Sequence, residues 1–371
     1  MKLKKNQKFN LYIGGLNPIE TKKVAKLFFL LSGEHETLPT SEVKAILEAE
    51  GYAFKLLEKL DQAIRIEADE NCVEAIKRRA AFTRLCALEL FSCEAKTSKI
   101  LQATHSISLN KVLEDEESFV VRVKRVKNHS SKADIMTLER KLGELVLNKK
   151  TKAKVNLKNP DKTFLGILTD GKFIFGIKLA EILPKPFDER RPKKKPFFHP
   201  SAMHAKLARC MVNLAKPKTG ELLLDPFCGT GSTLIEAAFI GCHVLGLDIQ
   251  RRMAKGSLRN LAHFNIKPEG VIVADAKNPP IKKIDCVVTD PPYGTSATTL
   301  KRTTKQIVEE VLTAVKDMLN EGRRICIAAP KTLNIGQIGI ALGYKHLDSH
   351  FVYVHRSLTR EIAIFEKVKT L

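Results

Sequence analysis

The stretch Leu222-Leu223-Leu224-Asp225-Pro226-Phe227-Cys228-Gly229-Thr230-Gly231-Ser232 decides the fold of the C-terminal half. An apolar strand runs into an acid, a proline and two spaced glycines, and a helix opens at Ser232. Glycines at 229 and 231 let backbone come close to a ligand. A dinucleotide fingerprint needs a third glycine where Leu234 stands, so a pyrophosphate cofactor is disfavoured. A purely structural tight turn is the plain alternative for so short a motif.

Outward from this turn the chain alternates strand and helix. Strand-like runs at Leu222–Leu224, His243–Leu247, Val271–Ala274, Cys286–Thr289 and Ile325–Ala328, separated by helical stretches, predict an α/β fold with a doubly wound parallel sheet. Ligands of such sheets bind beyond the carboxyl ends of the strands. Asp248 closes the second strand, followed by Ile249, and a carboxylate there can accept from both hydroxyls of a ribose. Asp275-Ala276 closes the third and can accept from an adenine amino group. Either acid also suits a helix N-cap. Jointly, the acidic strand ends describe a cradle for an adenosine with a methionine tail, S-adenosylmethionine. The candidate cofactor-binding residues are Asp225, Pro226, Phe227, Cys228, Gly229, Thr230, Gly231, Asp248, Ile249, Asp275, Ala276 and Asp290.

The fourth strand ends in Asp290-Pro291-Pro292-Tyr293-Gly294, the most specific signal in the chain. Two prolines fix φ and donate no hydrogen bond, so the Asp290 carboxylate and the Pro291 carbonyl can be held as rigid acceptors. An exocyclic amine needs such acceptors, because its lone pair is delocalised into the ring until its N–H groups are held. Tyr293 can stack on a base swung out of its helix. Asp290, Pro291, Pro292 and Tyr293 are therefore the candidate catalytic residues, with a simple strand-end turn as the alternative.

The N-terminal half reads as smaller α+β units. After an apolar run at Leu27–Leu31, Pro39-Thr40-Ser41 opens a helix that Gly51 closes, strands follow at Tyr52–Leu57 and Ala63–Ala68, and a second helix starts near Asn71. This order suggests a ferredoxin-like unit. Phe9–Ile13 could form a short strand. Phe119–Val126 alternates apolar and basic residues, as a half-buried strand with one cationic face does. Met136–Leu147 is helical, and Phe164–Leu168 with Phe173–Leu179 bracket Thr169-Asp170-Gly171 as a hairpin. The Pro/Lys/Arg-rich Pro184–Pro196 reads as a linker.

Composition narrows the partners. The 371 residues suit two or three domains, and a formal net charge of +22 favours a polyanion. Between Val120 and Pro160 twelve Lys/Arg meet three Asp/Glu, so the charge is clustered as an RNA-facing surface requires. Arg122, Lys124 and Lys127, with Lys193, Lys194 and Lys195 of the linker, are the candidate RNA-binding residues. Eight scattered cysteines lack zinc-ligand spacing and read as reduced thiols, with no metal expected. No run approaches the ~18 apolar residues of a membrane span, so a cytoplasmic protein is expected.

Asp225–Gly231 and Asp290–Gly294, in this order, resemble motifs I and IV of the amino-methyltransferases, which include DNA adenine-N6 and cytosine-N4 enzymes and RNA guanine-N2 enzymes. His199-Pro200-Ser201, Ala208-Arg209, Val212-Asn213-Leu214-Ala215 and His355-Arg356-Ser357-Leu358-Thr359-Arg360 are similar to the archaeal tRNA guanine-10 N2-methyltransferase family. The segment from Leu30-Leu31-Ser32-Gly33-Glu34 to about residue 165 resembles that family's ferredoxin-like and THUMP halves, so the resemblance spans nearly everything after residue 25. It implies a ferredoxin-like domain over 1–80, a THUMP-like RNA-binding domain over 81–165, a linker over 166–196 and a Rossmann-like methyltransferase domain over 197–371. It also implies N2-methyl- and then N2,N2-dimethylguanosine formation in tRNA.

No residue by itself identifies guanine. Another nucleic-acid amino-methyltransferase, acting on rRNA guanine-N2 or adenine-N6, shares the Asp290–Tyr293 chemistry; a catalytically silent RNA-binding protein would not need rigid acceptors beside a cofactor pocket. A monomer is expected, and a small activator subunit stays open. If the strand face around residue 122 grips phosphates, affinity for tRNA falls steeply with salt. Replacing Arg122, Lys124 and Lys127 by alanine should flatten the log–log salt dependence by roughly one unit per lost contact, read by filter binding across a salt series. An unchanged slope would mark this face as merely solvated.

Overall fold

The computed structural model describes residues 24–110, 112–127, 134–293 and 301–368. The expected strand at Phe9–Ile13 and Gly294 of the fourth-strand motif lie outside them. The N-terminal part contributes β1 (Val24–Leu31), α1 (Leu38–Ala49), β2 (Phe54–Leu60), β3 (Ala63–Asp69), α2 (Cys72–Arg79), β4 (Thr83–Glu94), α3 (Thr97–Ser106), β5 (Ser118–Arg125), α4 (Ile135–Lys149), β6 (Lys154–Val155), β7 (Lys162–Thr169) and β8 (Lys172–Glu181). All eight strands form one sheet in the order β2-β3-β1-β4-β8-β7-β5-β6. α1 and α2 cover its ferredoxin-like end with Val43, Ile46, Leu47, Val73 and Ile76 on Leu27 and Phe29. α3 and α4 cover the other end, over Phe119, Val121, Val123 and Phe164.

The long strand β4 joins the two ends: Leu88 faces Leu27 of β1 on one side and Ile177 of β8 on the other. A linker beginning at residue 166 is therefore corrected, because β7 and β8 are interior strands of this sheet. Their apolar faces, Phe164, Leu168, Phe173 and Phe175, belong to its core. Asp170 and Gly171 turn the hairpin with φ of 46° and 70°, as a tight two-residue turn demands. The connector proper follows Glu181 and is itself folded: α5 (Lys185–Glu189) buries Phe187, and a 3-10 turn spans Pro192–Lys194.

The C-terminal part comprises α6 (Ala205–Leu214), β9 (Leu222–Asp225), α7 (Ser232–Ala238), β10 (His243–Asp248), α8 (Arg251–His263), β11 (Gly270–Val273), β12 (Cys286–Thr289), α9 (Thr304–Lys316), β13 (Arg324–Pro330), α10 (Ile335–Ala341), β14 (Tyr344–His355) and β15 (Leu358–Lys367). The sheet runs β11-β10-β9-β12-β13-β15-β14. The first five strands in this order are parallel, as expected, and the sequence direction reverses between β9 and β12, where a crevice opens. β15 lies antiparallel between β13 and β14, an addition to the expected all-parallel sheet.

The two parts meet where α1 packs on α6. Glu42 of α1 is fully buried and accepts from the backbone N–H groups of Ala81 (3.0 Å) and Phe82 (2.8 Å) and from the Asn213 side-chain amide of α6 (2.8 Å). Burial pushes its carboxyl above the ordinary range. Arg79, also fully buried, donates to Asn213 (3.2 Å) and the Pro217 carbonyl (3.0 Å) and pairs with Glu50. From the other side Arg209 donates to the Arg78 and Arg79 carbonyls and pairs with Glu236 at 2.8 Å, and Arg190 of the connector pairs with the same Glu236 at 2.6 Å.

Glu42→Ala would leave three buried donors without their acceptor, at about 1–3 kcal/mol each when truly orphaned. We expect a much lower urea midpoint and faster proteolysis around residues 184–194. Glu42→Gln, which keeps an acceptor oxygen and the shape, should lose far less; equal losses would remove the carboxyl oxygens from the joint.

Candidate active site

The carboxyl ends of β9, β10 and β12 open onto a cavity of about 700 Å³. Pro226, Phe227, Gly229, Asp248, Ile249, Asp275, Ala276, Asp290, Pro291, Pro292 and Tyr293 line it. Asp225, Cys228, Thr230 and Gly231, also expected at the cofactor, are buried beside the cavity and do not line it. Asp225, at 3% exposure, accepts from the Thr289 hydroxyl at 2.7 Å and the Phe227 N–H at 3.1 Å, tying the end of β9 to the end of β12. Burial pushes its carboxyl up to about 7, against the pull of those hydrogen bonds.

The two glycines do different jobs. At Gly231, φ is +78° and a Cβ would lie 2.5 Å from the Ser257 hydroxyl, so this glycine allows α7 to approach α8. At Gly229, φ is +50° and a Cβ would meet nothing closer than Met253 at 3.6 Å, which leaves its backbone open to the cavity. Its N–H donates to Asp248 at 3.1 Å, while the other Asp248 oxygen accepts from the Gln250 N–H at 2.8 Å. Asp248 is thus both a helix-start acceptor and a cavity-lining acid, and burial raises its carboxyl. Asp275 accepts from the Lys277 N–H and pairs with Arg302 at 3.1 Å; Arg302 in turn pairs with Glu310.

Asp290 ends β12 in a buried setting that pushes its carboxyl up, opposed by the nearby Arg360 guanidinium. One of its oxygens accepts from the Tyr293 hydroxyl and the other pairs with Arg360 at 3.2 Å. Arg360 also donates from Nε to the Tyr293 hydroxyl at 2.9 Å, with its guanidinium 5.5 Å from the ring centroid. The sequence asked only a stacking face of Tyr293; its hydroxyl has a second task. Arg360 belongs to β15, whose strand character the sequence reading missed; the basic His355–Arg360 run was the only signal for it. His199, bonded to Ser201 at 2.7 Å, completes the wall near Asp248.

The basic candidates separate. Arg122 and Lys124 project from β5 as exposed neighbours on one face, Arg122 also donating to the Leu157 carbonyl at 3.1 Å. Lys127 is ion-paired to Asp61 at 2.8 Å. Lys193 and Lys194 are exposed, whereas Lys195 is corrected: it is 6% exposed and donates to the Ser232 hydroxyl at 2.6 Å. The turn before it aims Lys195 inward, and burial lowers its ammonium to about 8. No His/Cys/Asp/Glu group suited to a metal occurs among the described residues, nor any helix long and apolar enough to cross a membrane.

A family model described as "RMKL-like, methyltransferase domain" matches residues 192–358, and a THUMP domain model matches 94–177. The chain is 37% identical over 344 residues to a "tRNA (guanine(10)-N2)-dimethyltransferase" of Methanothermobacter thermautotrophicus, covering 92% of this chain and all of that relative. A relative of the same name from Methanocaldococcus jannaschii is 32% identical over 363 residues, covering 92% and 99%. Among solved structures, TrmN from Thermus thermophilus superposes with a TM-score of 0.53 at 18% identity, covering 92% of this chain and 100% of that one, a likeness of fold.

The raised Asp225 carboxyl sets a pH dependence. A group whose folded pKa lies above its unfolded one contributes stability that is fully present below about pH 4 and is lost as pH rises through about 7. Asp225→Asn keeps an acceptor for Thr289 without that ionisation. Relative to the parent protein its melting temperature should therefore gain between pH 5 and 8, by a few degrees. A difference independent of pH would show that Asp225 is ionised throughout.

Proposed function

The chain belongs to the tRNA (guanine(10)-N2)-dimethyltransferase family, and we propose that it transfers methyl groups from S-adenosylmethionine to the exocyclic N2 of a guanosine in tRNA. The observation that carries this reading is that Asp290 and Pro291, directly after β12, line an acid-lined cavity together, the Asp290 carboxylate held by Tyr293 and Arg360. The donor set fits the cofactor. Asp248 offers carboxylate lone pairs beyond its two backbone bonds, Asp275 offers an acceptor for an amino group, and the open backbone at Gly229 permits close approach. Bound there, S-adenosylmethionine supplies an electrophilic sulfonium methyl.

The chain's own residues supply position and charge. A carboxylate has about four acceptor sites, so Asp290 can hold the amine N–H while still engaged by Tyr293 and Arg360. The Pro291 carbonyl takes the second N–H, which frees the nitrogen lone pair for the methyl carbon. Arg360 opposes the rise that burial imposes on the Asp290 carboxyl, and so favours the anionic acceptor as positive charge develops on the amine. The Tyr293 ring gives the everted guanine a stacking face, and its hydroxyl fixes the Asp290 rotamer. Delivery of the tRNA falls to the THUMP-bearing sheet, with the exposed Arg122 and Lys124 on β5 and Lys193 and Lys194 on the connector. The methylated amine sheds one proton, for which the Asp290 carboxylate beside it is the acceptor, and beyond that catalysis rests largely on positioning.

Asp290→Ala should lower methyl transfer to a tRNA transcript by about 10²–10³ or more while S-adenosylmethionine affinity stays nearly unchanged. Single-turnover assays and calorimetry read the two quantities, and nucleoside mapping of the product should find N2-methylated guanosine. Asp290→Asn, which keeps one acceptor oxygen but removes the charge, should fall between. Parallel loss of cofactor binding and turnover would move Asp290 from the amine to the cofactor.

A further inference from the structure

A second cavity, of about 730 Å³, adjoins the first. The two share Pro200, Ala202, His204, Leu207, Val354 and Arg360 as a common wall. The first cavity is accounted for by a cofactor and one base, whereas the second has no part in the chemistry above. Its walls come from every part of the chain: Glu34, His35 and Phe82 of the ferredoxin-like end, Arg191 and Lys193 of the connector, and Tyr353 of β14.

Two features of this cavity point to one ligand chemistry. The first is cationic. Arg191 and Lys206 are each ion-paired, with Asp188 at 2.7 Å and Glu34 at 2.6 Å, while Lys193 makes no ion pair among the described residues. The second is aromatic. Tyr353 is 71% exposed and Phe198 43% exposed, although solvent gives neither ring a reason to be uncovered. A cation and open aromatic faces lining one cavity are what a nucleotide asks for, through its phosphate and its base. A volume of this size accommodates a ligand of that class.

We propose that this second cavity binds the nucleotide next to the target guanosine, its phosphate on Lys193 and its base stacked on Tyr353. The inference rests on reading the first cavity as the site of methyl transfer. A base everted into that cavity stays tethered by one phosphodiester to each neighbour, and the shared wall at Arg360 and Val354 is where such a tether would pass. Holding the neighbour fixes the sugar–phosphate backbone on one side of the everted base, and thereby the direction from which the amine meets Asp290. It also gives the RNA an anchor at the active site separate from the cationic strand face of β5.

A double-mutant cycle tests this with the full-length protein and tRNA transcripts carrying an abasic site immediately 5′ or 3′ of the methylated guanosine. At one of the two neighbours, loss of the base should lower kcat/KM of the parent enzyme about tenfold, the scale of one base–aromatic stack. The same abasic site should cost Tyr353→Ala nothing further, and Tyr353→Phe should behave like the parent. Lys193→Ala should lower the salt slope of tRNA binding by about one. S-adenosylmethionine affinity should be unchanged in all three variants. Losses that simply multiply at both neighbours, or a Tyr353→Ala enzyme with parental kcat/KM, would overturn the proposal. A parent enzyme that transfers no methyl to tRNA guanosine would instead overturn the function on which it rests.

Discussion

The molecule depends on a buried carboxylate at the junction of its two sheets. Glu42 sits in α1 with no solvent access, and every donor it satisfies lies elsewhere: Ala81 and Phe82, which lead into β4, and Asn213 of α6. Two buried arginines and Glu236 extend the joint to the connector. Such a network is a poor source of net stability, since desolvation offsets much of the attraction, but it tolerates little displacement. Sliding α1 along α6 by one residue would leave charges buried and unmatched. The junction therefore fixes the orientation of the RNA-binding sheet to the catalytic one where a flexible tether would leave it free. Phe82, whose N–H Glu42 holds, lines the second cavity, and α6 begins just after His204, which lines both cavities. The walls around the substrate thus inherit their positions from this joint.

Within the catalytic sheet, acids at successive strand ends have been sorted by depth. Asp225 is the deepest and binds protein groups only, carrying the end of β9 across to Thr289 just before Asp290. That link couples the turn after β9 to the Asp290 end of β12 through one hydroxyl. Asp248 is intermediate: its two backbone bonds hold the Gly229 turn and the start of α8 together, and its remaining lone pairs face the cavity. Asp275 is partly exposed and is paired with Arg302.

Much of this was legible in the sequence, and for identifiable reasons. Four of the five parallel strands are short apolar runs ending in Asp or closely followed by it, and the hydrophobicity of the interior ones, β9, β10 and β12, reports burial on both faces. β5 was legible from its alternation, because one face packs and the other meets solvent. The β14–β15 hairpin was not: β14 is an edge strand with Phe351, Tyr353 and Val354 exposed, so its pattern carries no clean inside and outside. Lys195 shows the same limit in miniature. Three consecutive lysines look alike in sequence, yet a single 3-10 turn sends the third into the protein against Ser232. Nor does a motif announce which of its residues face the ligand: Asp225-Pro226-Phe227-Cys228-Gly229-Thr230-Gly231 puts alternate tasks, lining and bracing, on near neighbours.

The hairpin the sequence hid is also what makes the acceptor work. A carboxyl buried at the end of β12 is driven toward its neutral form, in which it would donate a proton where an acceptor is needed. The counter-charge to Asp290 comes from Arg360 on the antiparallel strand β15, held in register by Pro330 of β13 and Val352 of β14. Because β15 is locked between two strands, Arg360 is positioned by the sheet and not by a loop, and it reaches both Asp290 and the Tyr293 hydroxyl without rearrangement. The same guanidinium stands in the wall between the two cavities. Arg360 thus joins the two cavities to the Asp290–Tyr293 cluster through one side chain fixed by the sheet.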